Sequence, residues 1–517
     1  MVEDLYIVNF PKTQENREDI DIKLIDQLQD FLLDKNVVKK EENLNELRKC
    51  CNEFKSFLED LKDKNDLETV ITKEYKNQIF SEKQEYAHKF LEQIFISIDP
   101  YELTETHTEY FSLLKRFQET SSDYLKSYRD HLIHTLRVFL LVSAILEILG
   151  DTWIDILKNL LSDLLEKFDK DIKPATQLER LKDAELWIFS IQGVTLMSLF
   201  HDIGMVYSKH KEMIERINEC IFLTSKGEDL SIFTWQPQLK KEYKDRIDNV
   251  LPIFEDLSEK YHPEYENLYK ILAEELDSIT LDLENIHGTL SLLLIFRLYY
   301  SLERVILETS PAKLEKEYKE ATSRPELRRK KINTKDRIVA DDEGEYSIKK
   351  LRNVIGFLIL YEAMNAIFAH DKKGYVALSP FSEILVFADS SQEWDRFECK
   401  EGEPIKCAKD KIKICVNCCE GGETILSFYE ETSFEETEIL NKIISKLSDV
   451  LKDNEKRGAF GLFFHLKVEC PNINPSRALF RCKYHPQIIN DRDPGIRDEE
   501  IDIKDFCRRC KKKQRGG

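Results

Sequence analysis

The chain has 517 residues, 42% hydrophobic, 34% charged and 10% aromatic, which is enough apolar material for large cores and excludes a collagen-like or wholly disordered protein. Its 77 Lys and Arg are outnumbered by 97 Asp and Glu, and a formal net charge of −20 with a pI near 5.2 disfavours general binding to nucleic acid or anionic lipid. A chain of this length implies about three domains.

The segment Met1 to Lys12 carries Glu3 and Asp4 and has no basic run ahead of an apolar stretch, so no secretory signal is read there. The longest uncharged run, Leu186 to Phe200, is shorter than the roughly 20 residues that span a bilayer. The expectation is a soluble, cytoplasmic protein with no membrane partner. In that setting its 12 Cys are expected as thiols or metal ligands rather than disulfides, and most of them lie between Cys399 and Cys510.

Taken in chain order, residues 1–120 are charged and helix-patterned, with apolar residues three and four apart in Ile20 to Leu33 and Leu44 to Leu61. Residues 121–398 change character. Leu132 to Leu149, Leu186 to Phe200, Leu290 to Leu302 and Val354 to Ala369 are apolar nearly all round, as helices buried among other helices are. Two excursions interrupt this core, near 151–183 and 310–350, the second containing Arg328 to Lys331. Residues 399–517 read as a small α+β, cysteine-rich module. Lys411 to Val416, Thr424 to Tyr429 and Gly461 to Val468 have strand character, Phe434 to Leu451 is an amphipathic helix, and the chain ends in a basic tail. The fold class is therefore mainly α, a helical bundle core with a small α+β appendage.

The ionisable residues set into the apolar helices are His134, the doublet His201-Asp202, His287, His370 followed by Asp371, and Asp389. An imidazole or carboxylate in such surroundings needs a partner, because leaving it without one costs several kcal/mol. One divalent metal would satisfy the set. Adjacent residues diverge by about 100° on an ideal helix. His201 and Asp202 therefore meet one ion only near a helix end or distortion, and the nearby Gly204 is compatible with such a break.

The ordered pattern resembles the HD superfamily of metal-dependent phosphohydrolases, in which a His, a His-Asp doublet and a distant Asp sit on a helical bundle. The resemblance is carried by His134 in His-Thr-Leu-Arg-Val, by Leu199-Phe-His-Asp-Ile-Gly204, and by Asp389 in Leu385-Val-Phe-Ala-Asp389. It implies an HD-type bundle in which His134, His201, Asp202 and Asp389 hold one metal. His287 in Asn-Ile-His-Gly and His370 in Ala-Ile-Phe-Ala-His fall in the order of the two extra ligands of binuclear members. The implied activity is hydrolysis of a phosphate ester or anhydride, with His201 and Asp202 at its centre. Mixed His and carboxylate ligation suits one or two ions of Mn, Fe, Co, Ni or Zn better than Mg.

Around these residues, His131 is expected to touch a ligand or serve structure, and Arg137 to form a salt bridge. Lys209, His210, Lys211 and Lys372 are candidates to hold substrate phosphate. Cys482, His485, Cys507 and Cys510 have ligand-pair spacing for a structural zinc site. The acidic chain favours a small nucleotide as substrate: a nucleoside triphosphate, deoxynucleotide or cyclic nucleotide. An HD nuclease on single-stranded nucleic acid and a catalytically silent sensor or scaffold remain the alternatives, and the amino-terminal helices are candidates to pack on the core or to mediate self-association.

Overall fold

The computed structural model describes residues 5–9, 18–35, 37–38, 40–65, 73–98, 127–128, 131–168, 174–205, 288, 291, 348–370, 379–391, 397–400, 406–407, 411–418, 424–431 and 462–469. They are mainly helical, and all fall within the first of two compact units, Met1–Cys482 and Lys483–Gly517. The expected 310–350 excursion lies outside the described residues except for its last three, and the helix at Phe434 to Leu451 and the basic tail lie wholly outside them.

After a short strand β1 (Leu5–Asn9), three helices follow: α1 (Glu18–Asp34), α2 (Glu41–Asn65) and α3 (Lys73–Ile98). Their sequence period explains their packing. On α2, Leu47, Cys51, Phe54, Leu58 and Leu61 recur at helical spacing and are buried, while Arg48, Lys49, Glu53, Glu59 and Asp60 between them are exposed. Phe54 and Phe57 meet Tyr86 of α3 as stacked rings, and Phe54 meets Phe90 edge-on. Glu41 and Glu42 in the first turn of α2 suit the positive end of its dipole.

After β2 (Ser127–Tyr128) comes the central helix, α4 (His131–Leu149), buried at every residue from His131 to Leu146. Helices α1 and α3 pack against it, so the amino-terminal helices share its core. Gly150 ends α4 with φ of 51°, a left-handed turn that a side chain would resist, and its N–H donates to Leu146 O at 3.0 Å. The chain then enters α5 (Asp151–Phe168), α6 (Pro174–Leu178) and α7 (Asp183–Phe200).

The described part of the stretch 151–183, expected as an excursion, is helical and packs on the core. Its apolar residues form one helical stripe, and Trp153, Leu157, Leu161, Leu164 and Leu165 of α5 are fully buried in the common core. Trp153 Nε1 donates to Ser190 Oγ of α7 at 2.6 Å, which satisfies its buried indole. The last two described helices are α8 (Ile348–Ala369) and α9 (Pro380–Ser391). Helices α7 and α8 approach closely at Gly193, where an added Cβ would meet Ile359 Cγ2 at 2.7 Å.

Two described helices are long and apolar enough to cross a membrane, α4 and the Leu351–Phe368 part of α8. Most of each is covered by other helices, which is the environment of a bundle core.

The remaining described strands are β3 (Phe397–Lys400), β4 (Lys406–Cys407), β5 (Lys411–Cys418), β6 (Thr424–Glu431) and β7 (Leu462–Glu469). One sheet has the order β1-β5-β6-β7 and the other β2-β3-β4. Strands β5, β6 and β7 fall where the strand-like composition places them. The helical reading of 1–120 overlooks β1, whose Leu5 and Tyr6 register with Val416 and Cys415 of β5. Antiparallel pairing joins β5 to β6, whereas β6 and β7 run parallel, from Thr424 opposite Leu462 to Glu431 opposite Glu469. A parallel pair needs a long crossover rather than a hairpin.

Candidate metal centre

Four helical segments deliver ionisable side chains to one buried point. His131 and His134 come from the first turn of α4, and His201 and Asp202 follow the last residue of α7. His370 follows α8, and Asp389 lies in the last turns of α9. All six are buried, His201 completely and Asp202 to 9% exposure.

The doublet sits at a helix end, as its two diverging side chains require. Backbone N–H groups of Ile203 and Met205 donate to Phe200 O and Asp202 O, closing a tight turn. Gly204 lies in this turn, yet the left-handed conformation occurs at Gly150, so the break is not made by a positive φ at Gly204. Ser291 secures it instead. Its Oγ donates to His201 O at 2.6 Å and accepts from Gly204 N–H at 2.8 Å. Sequence reasoning missed Ser291. Its only signal is a small hydroxyl inside the apolar run Leu290 to Leu294.

The contacts centre on His134 and Asp202. His134 Nε2 lies 3.0 Å from Asp389 Oδ1, 3.4 Å from His201 Nε2 and 3.5 Å from Asp202 Oδ2. His201 Nε2 is 3.8 Å from Asp202 Oδ2 and 3.9 Å from Asp389 Oδ1. His131 Nδ1 approaches Asp202 Oδ2 at 3.4 Å, and His370 Nε2 approaches Asp202 Oδ1 at 3.7 Å. The His201 ring packs edge-on against both His134 and His370.

Backbone carbonyls orient two of the imidazoles. His201 Nδ1 is 2.9 Å from Ser198 O, and His370 Nδ1 is 2.6 Å from Ile367 O. Each contact places the ring proton on Nδ1 and leaves the Nε2 lone pair aimed at the cluster. Burial pushes the His201 imidazole down to about 4, with His370 and His134 adding to the shift and Asp202 and Asp389 opposing it. His201 is therefore neutral at physiological pH and able to donate its lone pair.

These donors suit a metal ion. His134, His201 and Asp202 each offer one ligand atom within 4.8 Å of the others. Ligands about 2.1 Å from one tetrahedral or octahedral ion stand roughly 3.0–3.4 Å apart. The separations of 3.0, 3.4 and 3.5 Å around His134 Nε2 lie at or near that range. A divalent cation would also offset the two buried carboxylates that face the same imidazole.

Of the ligands expected from the sequence, His134, His201, Asp202, His370 and Asp389 are brought together, with His131 alongside Asp202. His287, Lys209, His210, Lys211, Lys372 and Asp371 lie outside the described residues, as do Cys482, His485, Cys507 and Cys510. The expected salt bridge of Arg137 is present, to Asp21 of α1. Comparison of the chain with protein-family models, curated proteins and solved structures gives no match.

Proposed function

We propose that this protein is a metal-dependent phosphohydrolase of the HD superfamily type, acting on a phosphate ester or anhydride of a small nucleotide. The observation that carries this reading is the convergence of His134, His201, Asp202 and Asp389 on one buried point, in the order of the His, His-Asp and Asp motifs. These four would hold a transition metal such as Mn, Fe, Co, Ni or Zn, and His370 and His287 would serve a second ion. A bound ion would supply a water of lowered pKa and polarise a phosphoryl oxygen.

The chain's own part in the chemistry is positioning. Ser198 and Ile367 carbonyls fix the tautomers of His201 and His370, so that neither ring needs to reorient when a ligand arrives. Burial keeps His201 neutral. His131 approaches one oxygen of Asp202 and holds the carboxylate's rotation. The dry surroundings strengthen every charge interaction at the site. The net charge of −20 favours a small diffusible substrate over a polyanion.

Incubation of the full chain with nucleoside triphosphates, deoxynucleotides, cyclic nucleotides and single-stranded oligonucleotides tests the reading. Hydrolysis of a nucleotide by wild type and not by His201→Ala/Asp202→Ala supports it. Turnover of oligonucleotides alone, weakening with salt, identifies the nuclease alternative, and inactivity on the whole panel with each candidate metal removes the catalytic claim.

A further inference from the structure

One turn beyond His134, Arg137 makes a two-pronged contact with Asp21 of α1. Nε donates to Oδ1 at 2.9 Å and Nη2 to Oδ2 at 2.6 Å. Lys83 of α3 approaches the same carboxylate at 3.5 Å. All three side chains are buried, Asp21 and Arg137 to 2% and Lys83 to 4% exposure.

From His131 to Leu146 α4 is buried at every residue, so no solvent-facing polar side fixes its rotation or axial position. A directional, two-pronged ion pair does, because a small rotation breaks it. His131 and His134 lie immediately before Arg137 on the same helix, and the His134 contacts with Asp389 and His201 demand a defined register.

We infer that Asp21, Arg137 and Lys83 form a register pin through which α1 and α3 hold α4 with His134 opposite Asp389. Arg137 is a positioning residue on this account, and the amino-terminal helices belong to the site's scaffold. The inference rests on the metal reading only for its second readout.

The test replaces the cluster by apolar residues in the full chain, with Asp21→Leu, Lys83→Met and Arg137→Met combined. Replacing the three together strands none of them without the other two, so the urea midpoint is expected to stay nearer that of wild type than after Arg137→Met alone. Crystal structures of variant and wild type then compare the separation of His134 Nε2 and Asp389 Oδ1, and Co(II) titration compares affinity and visible spectrum. A lengthened separation, with Co(II) affinity reduced at least tenfold and an altered spectrum, is the expected result. An unchanged separation overturns the inference whatever the affinity. If wild type takes up no Co(II), the metal reading fails by itself and the separation still decides the pin. Arg137→Lys keeps the charge but loses the two-pronged contact, and it carries the same comparison if the triple variant does not fold.

Discussion

His134 Nε2 lies 3.0 Å from Asp389 Oδ1, although the two residues belong to the first and last described helices of the central bundle. The contact joins α4 to α9 and brings a carboxylate to the imidazole that also meets His201 and Asp202. Its energetic consequence depends on what occupies the space between these groups.

Asp389→Asn tests that dependence through stability. An ion bound only by the folded protein at about 100 times its Kd adds roughly 2.7 kcal/mol. Wild type should therefore show a rise in Tm on adding Mn, Co or Zn at micromolar excess, and Asp389→Asn should lose most of it. Scanning fluorimetry with and without chelator measures both.

Ser291→Ala should destabilise the fold and loosen the doublet together. The substitution removes the hydroxyl that serves His201 O and Gly204 N–H, both buried, and the expected cost is about 1–3 kcal/mol in urea denaturation. Metal affinity should fall as well, because the turn carrying His201 and Asp202 loses its fastening.

Gly193 and Gly356 should respond to alanine in opposite directions. At Gly193 the new Cβ would meet Ile359 Cγ2 at 2.7 Å and Phe381 Cε1 at 3.2 Å. Forcing α7 and α8 apart costs about 1–3 kcal/mol, more than the helix propensity gained. At Gly356 the nearest atom, Phe189 Cε1, is 3.4 Å away, which is ordinary contact, and alanine should be neutral or stabilising by up to about 1 kcal/mol. Equilibrium unfolding of the two variants separates the outcomes.

Cys51 of α2 should be inert at neutral pH. Burial pushes its thiol up to about 12, only partly offset by Lys55, and Cys50 beside it is raised as well. The raised value means that the folded state disfavours the thiolate. The stabilising contribution is present below pH 9, the thiol's ordinary value, and is lost as pH rises toward 12. Iodoacetamide at pH 8 should label native Cys51 far more slowly than the unfolded chain, as peptide mass spectrometry would show, and Cys51→Ala should flatten the alkaline loss of stability.

Much of this architecture was legible because helix periodicity and burial leave strong marks on sequence. Three of the four all-round apolar segments are α4, α7 and α8, while Leu290 to Leu302 lies outside the described residues except for Ser291, and of the ionisable residues His134, His201, Asp202, His370 and Asp389 come together. The strand-like segments Lys411 to Val416, Thr424 to Tyr429 and Gly461 to Val468 overlap β5, β6 and β7. The misreadings have physical causes. A five-residue strand at Leu5–Asn9 is too short to show a period before its partner β5 is known. Ser291 was invisible because one hydroxyl in an apolar run has no pattern. Neither was the Asp21 partner of Arg137 readable, since nothing local links α1 to α4 across 116 positions.

The central claim is that the His and Asp cluster holds a transition metal. Elemental analysis of the purified full chain beside His201→Ala/Asp202→Ala tests it most directly, with urea unfolding to show that the variant remains folded. The account predicts one or two equivalents of transition metal in wild type that disappear in the variant, beyond any metal the two share. Equal metal content in both folded proteins, or none in either after reconstitution with Mn, Fe, Co, Ni and Zn, would contradict it.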